Sequence, residues 1–357
     1  ILTKCGINLK KASLVHINNQ YTRNGEVDID QLFTTVDLTE KIQSKQLEVE
    51  GRLGTFKNLI FQRDEPDQMI GPHCTAPYKC DFKDHCWQGV PDYSVFNIAG
   101  LSQDKKFELY YQGLTDIRQI NSMEGYTQGQ ALQIQCEKAQ EDHLDIPAIQ
   151  AFTNSLAYPI AYLDFESFQG AIPAFDGIRP YQQIPFQYSI HLMNSPFDSP
   201  IHKEYLGKEG VDPRRKLAEG LIKDIPPKTT ILVYNAQFEK RIISELAEAY
   251  PDLRDALLRR NDMVVDLMIP FKQKSVYYQS MKGSYSIKAV LPALVPEMSY
   301  DNLTINNGEL ATINYRKMTL LSEPEKEKVR QDLKTYCGQD TYAMIRILNK
   351  LVELSYT

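Results

Sequence analysis

The chain has 357 residues, 42% of them hydrophobic and 24% charged, enough to bury a sizeable core and too much for one small module, so about two or three domains are expected. Lys and Arg total 40 against 46 Asp and Glu, a formal charge of −6, which excludes a polybasic coat as the means of gripping nucleic acid; any polyanion must meet a local basic patch. No apolar run approaches the roughly 18 residues of a membrane helix, and the opening ILTKCGINLKKASLV lacks the pattern of a secretory signal, so the expectation is a soluble, cytoplasmic protein with no membrane partner. The chain opens on Ile1 rather than Met, as a fragment would.

In chain order, alternation of apolar and polar residues from Ala12 to Ile17 predicts a strand, which the turn-like Asn18-Asn19 ends. Thr39 is placed to cap a short helix from Glu40 to Lys45, and the stretch on to Ile60 is polar enough for a surface. Cys74, Cys80 and Cys86 follow at equal spacing, with His73 and His85 adjacent, whereas Cys5, Cys136 and Cys337 stand apart. Thiols so close in a cytosolic chain usually hold zinc or an iron–sulfur cluster; the competing reading is three buried, reduced cysteines. Cys5 reads as a core residue of the opening strand.

Between Pro91 and Pro159 short apolar steps at Val95, Ile98 and Leu101, then Leu109, Leu114, Ile117 and Ile120, predict helices. From Ile160 the pattern changes. IAYLDFES, IPFQYSIH, HKEYLG, TTILVYN and MVVDLM read as strands, and DPRRKLAEGLIKDI and EKRIISELAEAY as helices, an α/β domain with a mixed sheet. Ser322 and Glu325 have capping-box spacing with Pro324 between them, so a long C-terminal helix starts there.

Four acids stand out in this region. Asp164 and Glu166 lie two apart on one strand and project from the same face. Such a pair in an apolar sheet is costly unless a cation neutralises it, and hard oxygen ligands favour Mg²⁺ or Mn²⁺; the competing reading is a strand end with both acids in solvent. Glu239 lies just inside the helix that follows Asn235, at the strand end where α/β sheets place ligands. Tyr336 and Asp340 are spaced to share one face of a helix, provided Gly338 does not break it.

Taken together, these motifs resemble the DEDD superfamily of 3′-to-5′ exonucleases on a ribonuclease-H-like fold. Asp164 and Glu166 match its first motif, Asn235, Phe238 and Glu239 its second, and Tyr336 with Asp340 the third in its tyrosine form; GSYSIKAVLPAL is similar to the Ser-Leu-Lys helix between the last two. Glu239 departs from the usual Asp by one methylene, which lengthens the arm that would reach the second metal.

The resemblance implies metal-dependent hydrolysis at single-stranded 3′ ends, with DNA favoured and RNA open, by two Mg²⁺ or Mn²⁺ ions roughly 3.5–4 Å apart. Asp164 would be shared between the ions, with Glu166 and Asp340 on one and Glu239 supporting the other, and Tyr336 would orient the attacking water. Asn235 and Lys288 are the substrate-binding candidates, with Phe165, Phe168, Arg179, Tyr181, Tyr277, Tyr278 and Lys282 as possible stacking faces and cations. The alternative is a catalytically weak module that binds nucleic acid or a nuclease partner.

The wording around the motifs is also similar to a bacterial family known only as a domain of unknown function, whose members resemble a RecB-like nuclease segment joined to an exonuclease-like one. That implies a RecB-like (PD-(D/E)xK) tail with the cysteine cluster over 1–90, a helical connector over 91–158 and a ribonuclease-H-like domain with a mixed five-stranded sheet over 159–357. Residues 94–120 of the connector also resemble a helix-hairpin-helix element, an ordinary connector being the competing reading. In RecB-like relatives a 4Fe–4S cluster uses a fourth, upstream cysteine, so in this chain the cluster is expected to be incomplete, absent or replaced by zinc.

Overall fold

A computed structural model describes residues 1–356. They form two compact units, one of residues 1–87 with 169–182, the other of residues 88–168 with 183 onward. The connector expected over 91–158 therefore belongs to the sheet-bearing unit, and residues 169–182 go with the first.

In the first unit β1 (Ser13–Ile17) and β2 (Phe33–Asp37) pair antiparallel, Ser13 opposite Asp37 and Ile17 opposite Phe33. The alternation that predicted β1 does not give it a buried face, since Leu14 and Val15 are both exposed. The short α1 (Ile29–Leu32) is capped by Asp28, whose carboxylate accepts from Gln31 N–H. Next come α2 (Thr39–Ser44), α3 (Gln46–Ile60) and α4 (Lys83–Cys86). Thr39 lies within the first turn of α2 instead of capping it; Asp37 accepts both its N–H and its hydroxyl. As the polar sequence suggested, α3 buries no residue. Cys5 sits exposed in a 3-10 turn, not in a strand core, because the strand begins eight residues later. Arg23 ties residues 169–182 in, its guanidinium donating to the Pro173 and Ala174 carbonyls at 3.0 and 2.9 Å.

The second unit opens with α5 (Gln103–Tyr111), α6 (Gln128–Ala139), the two-residue β3 (His143–Leu144) and α7 (Ile146–Asn154). Ser102, Thr127 and Asp145 cap the three helices with side-chain oxygens, as residues of these types do best. Val95, Ile98, Leu109, Ile117, Ile120 and Ile134 form a core shared by α5, α6 and the turns before and between them, so the apolar steps read as helical are packing positions.

The remaining elements are β4 (Ile160–Phe168), β5 (Ile184–Met193), β6 (Ile201–Leu206), α8 (Arg214–Asp224), β7 (Thr230–Val233), α9 (Ala236–Ala249), α10 (Arg254–Asn261), β8 (Val264–Asp266), α11 (Ile269–Lys272), β9 (Val276–Tyr277), α12 (Ile287–Leu294), α13 (Gly308–Lys317) and α14 (Glu323–Leu354). The main sheet runs β6-β5-β4-β7-β8; β5 is antiparallel to β4 and β6, while β4, β7 and β8 are parallel. This is the expected five-stranded mixed sheet flanked by helices. One face, with Ala161, Leu163 and Phe165 of β4, packs on α8 and α9 through Leu217, Leu221, Ile242, Ile243 and Leu246. The other face meets α14, where Gln187 on β5 donates to Leu333 O and Ser189 bonds Thr341. Among the described residues no helix is long and apolar enough to cross a membrane.

The helices before the sheet are fixed to the rest of the unit by a buried polar knot. Tyr93 and Tyr277 both donate to Glu137 Oε1, at 3.0 and 2.9 Å, and β3 pairs with β9 beside it. Gly283 lies against the same helices with φ +78°, and a Cβ there would stand 2.2 Å from the Asn97 carbonyl oxygen and 2.4 Å from Gln133 Nε2. Both the left-handed backbone and the close approach require glycine. Gly283→Ala should thus cost roughly 3 kcal/mol or more of stability, read as a lowered thermal midpoint; a variant that melts with the wild type would contradict this packing.

Candidate metal centre

Strand β4 sorts its side chains by parity. Leu163 and Phe165 go into the apolar core, while Asp164 and Glu166 project toward α14, opposite Ser189 and Gln187 of β5. The β4–β5 register shifts between Glu166 and Ser167, a bulge of the kind that re-aims side chains near functional sites. From the other side, α14 runs unbroken through Gly338 and presents Tyr336, Cys337 and Asp340. One carboxylate oxygen from each of Asp164, Glu166 and Asp340 lies within 4.8 Å of the others, Glu166 and Asp340 being buried and Asp164 partly so.

Glu239 comes from a third element, the first turn of α9. It stands outside that trio, but its charge acts on Asp164, and the charge of Glu166 acts on it. Asn235 precedes it in left-handed conformation, φ 77° and ψ 66°, at the turn from β7 into α9. Asp266, at the end of β8, holds that turn: its carboxylate accepts from the N–H groups of Asn235, Ala236 and Met268 at 3.0, 3.1 and 2.9 Å. The sequence reading passed over Asp266, although an acid ending the strand MVVDLM was a usable signal.

The electrostatics follow from burying like charges together. Burial, then Asp340, then Glu166 and Glu239 raise the Asp164 carboxyl well above its ordinary range. Burial and Asp340 push Glu166 up to about 8, against the pull of Lys288. Glu239 is pushed up to about 8 by burial, helped by Asp266 and Glu166. Asp340 rises only to about 6, because the Tyr300 hydroxyl, Lys288 and the Tyr336 hydroxyl offset part of its burial. Glu239 is 2% exposed and its Oε2 has no hydrogen-bond partner among the described residues. Hard oxygen donors gathered in this way, with a buried carboxylate oxygen left unsatisfied, fit a small divalent cation such as Mg²⁺ or Mn²⁺.

Tyr336 is buried, and burial followed by Asp340 raises its phenol above the ordinary value, so it stays protonated at neutral pH and acts as a hydrogen-bond donor. Cys337 places its sulfur 3.5 Å from Asp164 Oδ2. Tyr300, another residue the sequence reading missed, donates its hydroxyl to Asp340 Oδ1 at 2.7 Å. Lys288 is exposed, donates to the Asn306 carbonyl at 2.6 Å and lies 5.6 Å from the centre of the Tyr300 ring. It lines a pocket of about 310 Å³ with Ser299, Tyr300, Asp301, Asn306 and Asn307.

Three of the expected stacking faces are not available. Phe165 lies in the sheet core, Phe168 packs beside Phe186 and Tyr315, and Tyr277 is buried in the Glu137 knot, because each side chain falls on an inward face. Tyr278 is partly buried and Lys282 exposed; Arg179 and Tyr181, also exposed, belong to the first unit. In that unit Cys74 is buried, Cys80 partly buried and Cys86 exposed, and all three line a pocket of about 590 Å³ with His73 and His85. Among the described residues only the carboxylate trio gathers three ligand atoms within 4.8 Å, so the cysteine segment surrounds one pocket without drawing its donors to the spacing of a tetrahedral site.

The raised carboxyls have a testable consequence. A group at about 8 when folded and near 4.5 when unfolded binds a proton in the folded state alone between those values, so its stabilising effect is full below about 4.5 and is lost as pH rises through about 8. Metal-free protein should lose stability from about pH 5 to 8, Glu166→Gln should flatten that slope, and Mn²⁺ should raise the melting temperature more at pH 8 than at pH 5. Parallel pH profiles for the wild type and Glu166→Gln would contradict the assignment.

Comparison with known proteins places residues 161–286, which contain Asp164, Glu166 and Glu239, in a match to the family described as Domain of unknown function (DUF2779). The chain is similar to the uncharacterized protein UU173 of Ureaplasma parvum, 23% identical over 74% of this chain and 46% of that protein. It is also similar to the uncharacterized protein MG366 of Mycoplasma genitalium, 26% identical over 55% of this chain and 32% of that protein. The matched region thus spans less than half the length of these relatives. No solved structure matches significantly.

Proposed function

We propose that the second unit is a divalent-cation-dependent 3′-to-5′ exonuclease of ribonuclease-H-like fold, hydrolysing phosphodiester bonds at single-stranded ends, with DNA as the favoured polymer and RNA as the second. The observation that carries this reading is the convergence of Asp164, Glu166 and Asp340, from β4 and α14, to within 4.8 Å, with the unsatisfied Glu239 beside them. The mixed five-stranded sheet supports the ribonuclease-H-like part. We read the first unit, on its cysteine segment, as the tail of a RecB-like nuclease domain.

Asp164, Glu166, Asp340 and Glu239 would hold the cations. Mg²⁺ or Mn²⁺ bound there would supply charge neutralisation at the scissile phosphate and a more acidic water. The protein's own residues do the rest. Tyr336, protonated and with its single O–H turned to the Asp340 carboxylate, offers its oxygen lone pairs to the attacking water and orients it by accepting a hydrogen bond. Lys288 brings a cation to the edge of the acidic cluster, where it offsets the repulsion between carboxylates and an incoming phosphate. The polar pocket it lines, with Ser299, Asn306 and Asn307, gives a nucleotide donors and acceptors beside the cluster. Asn235, exposed at the β7–α9 turn, adds a further polar group for the substrate strand.

The test is to incubate the chain with end-labelled single- and double-stranded DNA and RNA, in Mn²⁺ or in EDTA. Mononucleotides released progressively from the 3′ end in Mn²⁺, and none in EDTA, are expected. Asp164→Ala should reduce the rate about 10³-fold, the loss of several kcal/mol of charge stabilisation, and Tyr336→Phe roughly 10²-fold. Full activity in Asp164→Ala would refute the reading, and metal-independent binding without turnover would favour a recruiting module.

A further inference from the structure

Residues 295–303, between α12 and α13, cross α14 as a strap fastened at three points. The Arg346 guanidinium pairs with Glu297. Gln339 Nε2 donates to the Ser299 carbonyl at 2.8 Å, and the Tyr300 hydroxyl donates to Asp340 Oδ1 at 2.7 Å. Gln339 and Arg346 stand seven residues apart, which puts them on one side of the helix two turns from each other. The strap therefore has a fixed register on the helix that carries Asp340.

Tyr300 is the part of the strap that reaches the cluster. It is 7% exposed, its ring meets the Tyr336 ring edge-on at 6.4 Å, and the Lys288 ammonium lies over its face. A carboxylate with one oxygen engaged in a short, charge-assisted hydrogen bond is held in a single plane and presents its second oxygen in one direction. Partners of this kind orient metal ligands, and removing them typically costs about 10–100-fold in metal affinity or activity.

We propose that Tyr300 is a positioning residue, which fixes Asp340 for cation binding through its hydroxyl and joins that ligand to the Lys288 side of the pocket through its ring. This rests on the cluster binding a divalent cation, the reading above, and adds a residue that lies outside the three motifs.

The experiment is a Mn²⁺ titration of the full chain followed by electron paramagnetic resonance, with the metal-free melting temperature and the kinetics on an end-labelled oligonucleotide measured alongside. Tyr300→Phe keeps the ring and deletes only the hydroxyl. Its Mn²⁺ affinity should fall about 10–100-fold and kcat should fall with it, while KM for the oligonucleotide stays at the wild-type value. Gln339→Ala loosens the strap without touching a carboxylate; it should show a smaller loss in the same direction, and the double variant should be no worse than Tyr300→Phe alone. Tyr300→Phe binding Mn²⁺ within about twofold of the wild type overturns the proposal, as does a rise in KM with unchanged affinity. Should Tyr300→Phe not fold, wild-type affinity in Gln339→Ala overturns it equally. A wild type that binds Mn²⁺ without cleaving nucleic acid removes the exonuclease reading and leaves this one decided by the titration; a wild type that binds no Mn²⁺ overturns both.

Discussion

Like charges buried together are the constraint on which the rest of the sheet-bearing unit depends. Two carboxylates about 4 Å apart in partly screened protein repel by about 4 kcal/mol, a large share of the roughly 5–15 kcal/mol that holds a typical domain folded. The trio of Asp164, Glu166 and Asp340, with Glu239 beside it, cannot stay fully ionised without a counter-charge. Either protons or a cation must satisfy it. Lys288 offers a partial answer from outside, and the hydroxyls of Tyr300 and Tyr336 another at Asp340, which is why Asp340 is the least perturbed of the four.

The surrounding structure is organised to maintain that costly arrangement. One face of β4 is sealed by α8 and α9, so the strand cannot turn its acids away without exposing Leu163 and Phe165. The other face is closed by α14, a single helix of 32 residues whose register is set by the bonds of Gln187 to Leu333 and of Ser189 and His191 to Thr341. Thr341 follows Asp340 directly, so bonds that locate the one locate the other. At the third corner Asp266 gathers three N–H groups around the β7–α9 turn and thereby places Glu239. Rigid elements supply every acid, as a preorganised site requires.

Much of this was legible because the chemistry is written in short spacings. Two residues along a strand and four along a helix each bring side chains to one face, so Asp164 with Glu166 and Tyr336 with Asp340 could be paired before any fold was known. The five sheet strands from Ile160 onward, with α8, α9, α12 and α14, were equally readable, since apolar runs of buried strands alternate there with amphipathic helices, whereas α10 and α13 were not foreseen. What could not be read depends on contacts distant in sequence. Tyr300 lies in an irregular segment 40 residues from the acid it bonds. Asp266 works through main-chain groups about 30 residues away. Phe165, Phe168 and Tyr277 share their composition with stacking platforms, and only the sheet and the helices before it reveal that they face inward. The tie between Arg23 and the Pro173 and Ala174 carbonyls is likewise a contact about 150 residues apart that no local spacing announces.

The most direct measurement is anomalous diffraction from crystals of the protein grown with Mn²⁺, at a pH above 8 where the acids release their protons. The account predicts an anomalous peak among Asp164, Glu166 and Asp340, with Glu239 near a second. Ordered crystals of the Mn²⁺-saturated protein with no peak at these carboxylates, or with manganese bound only elsewhere, would contradict it.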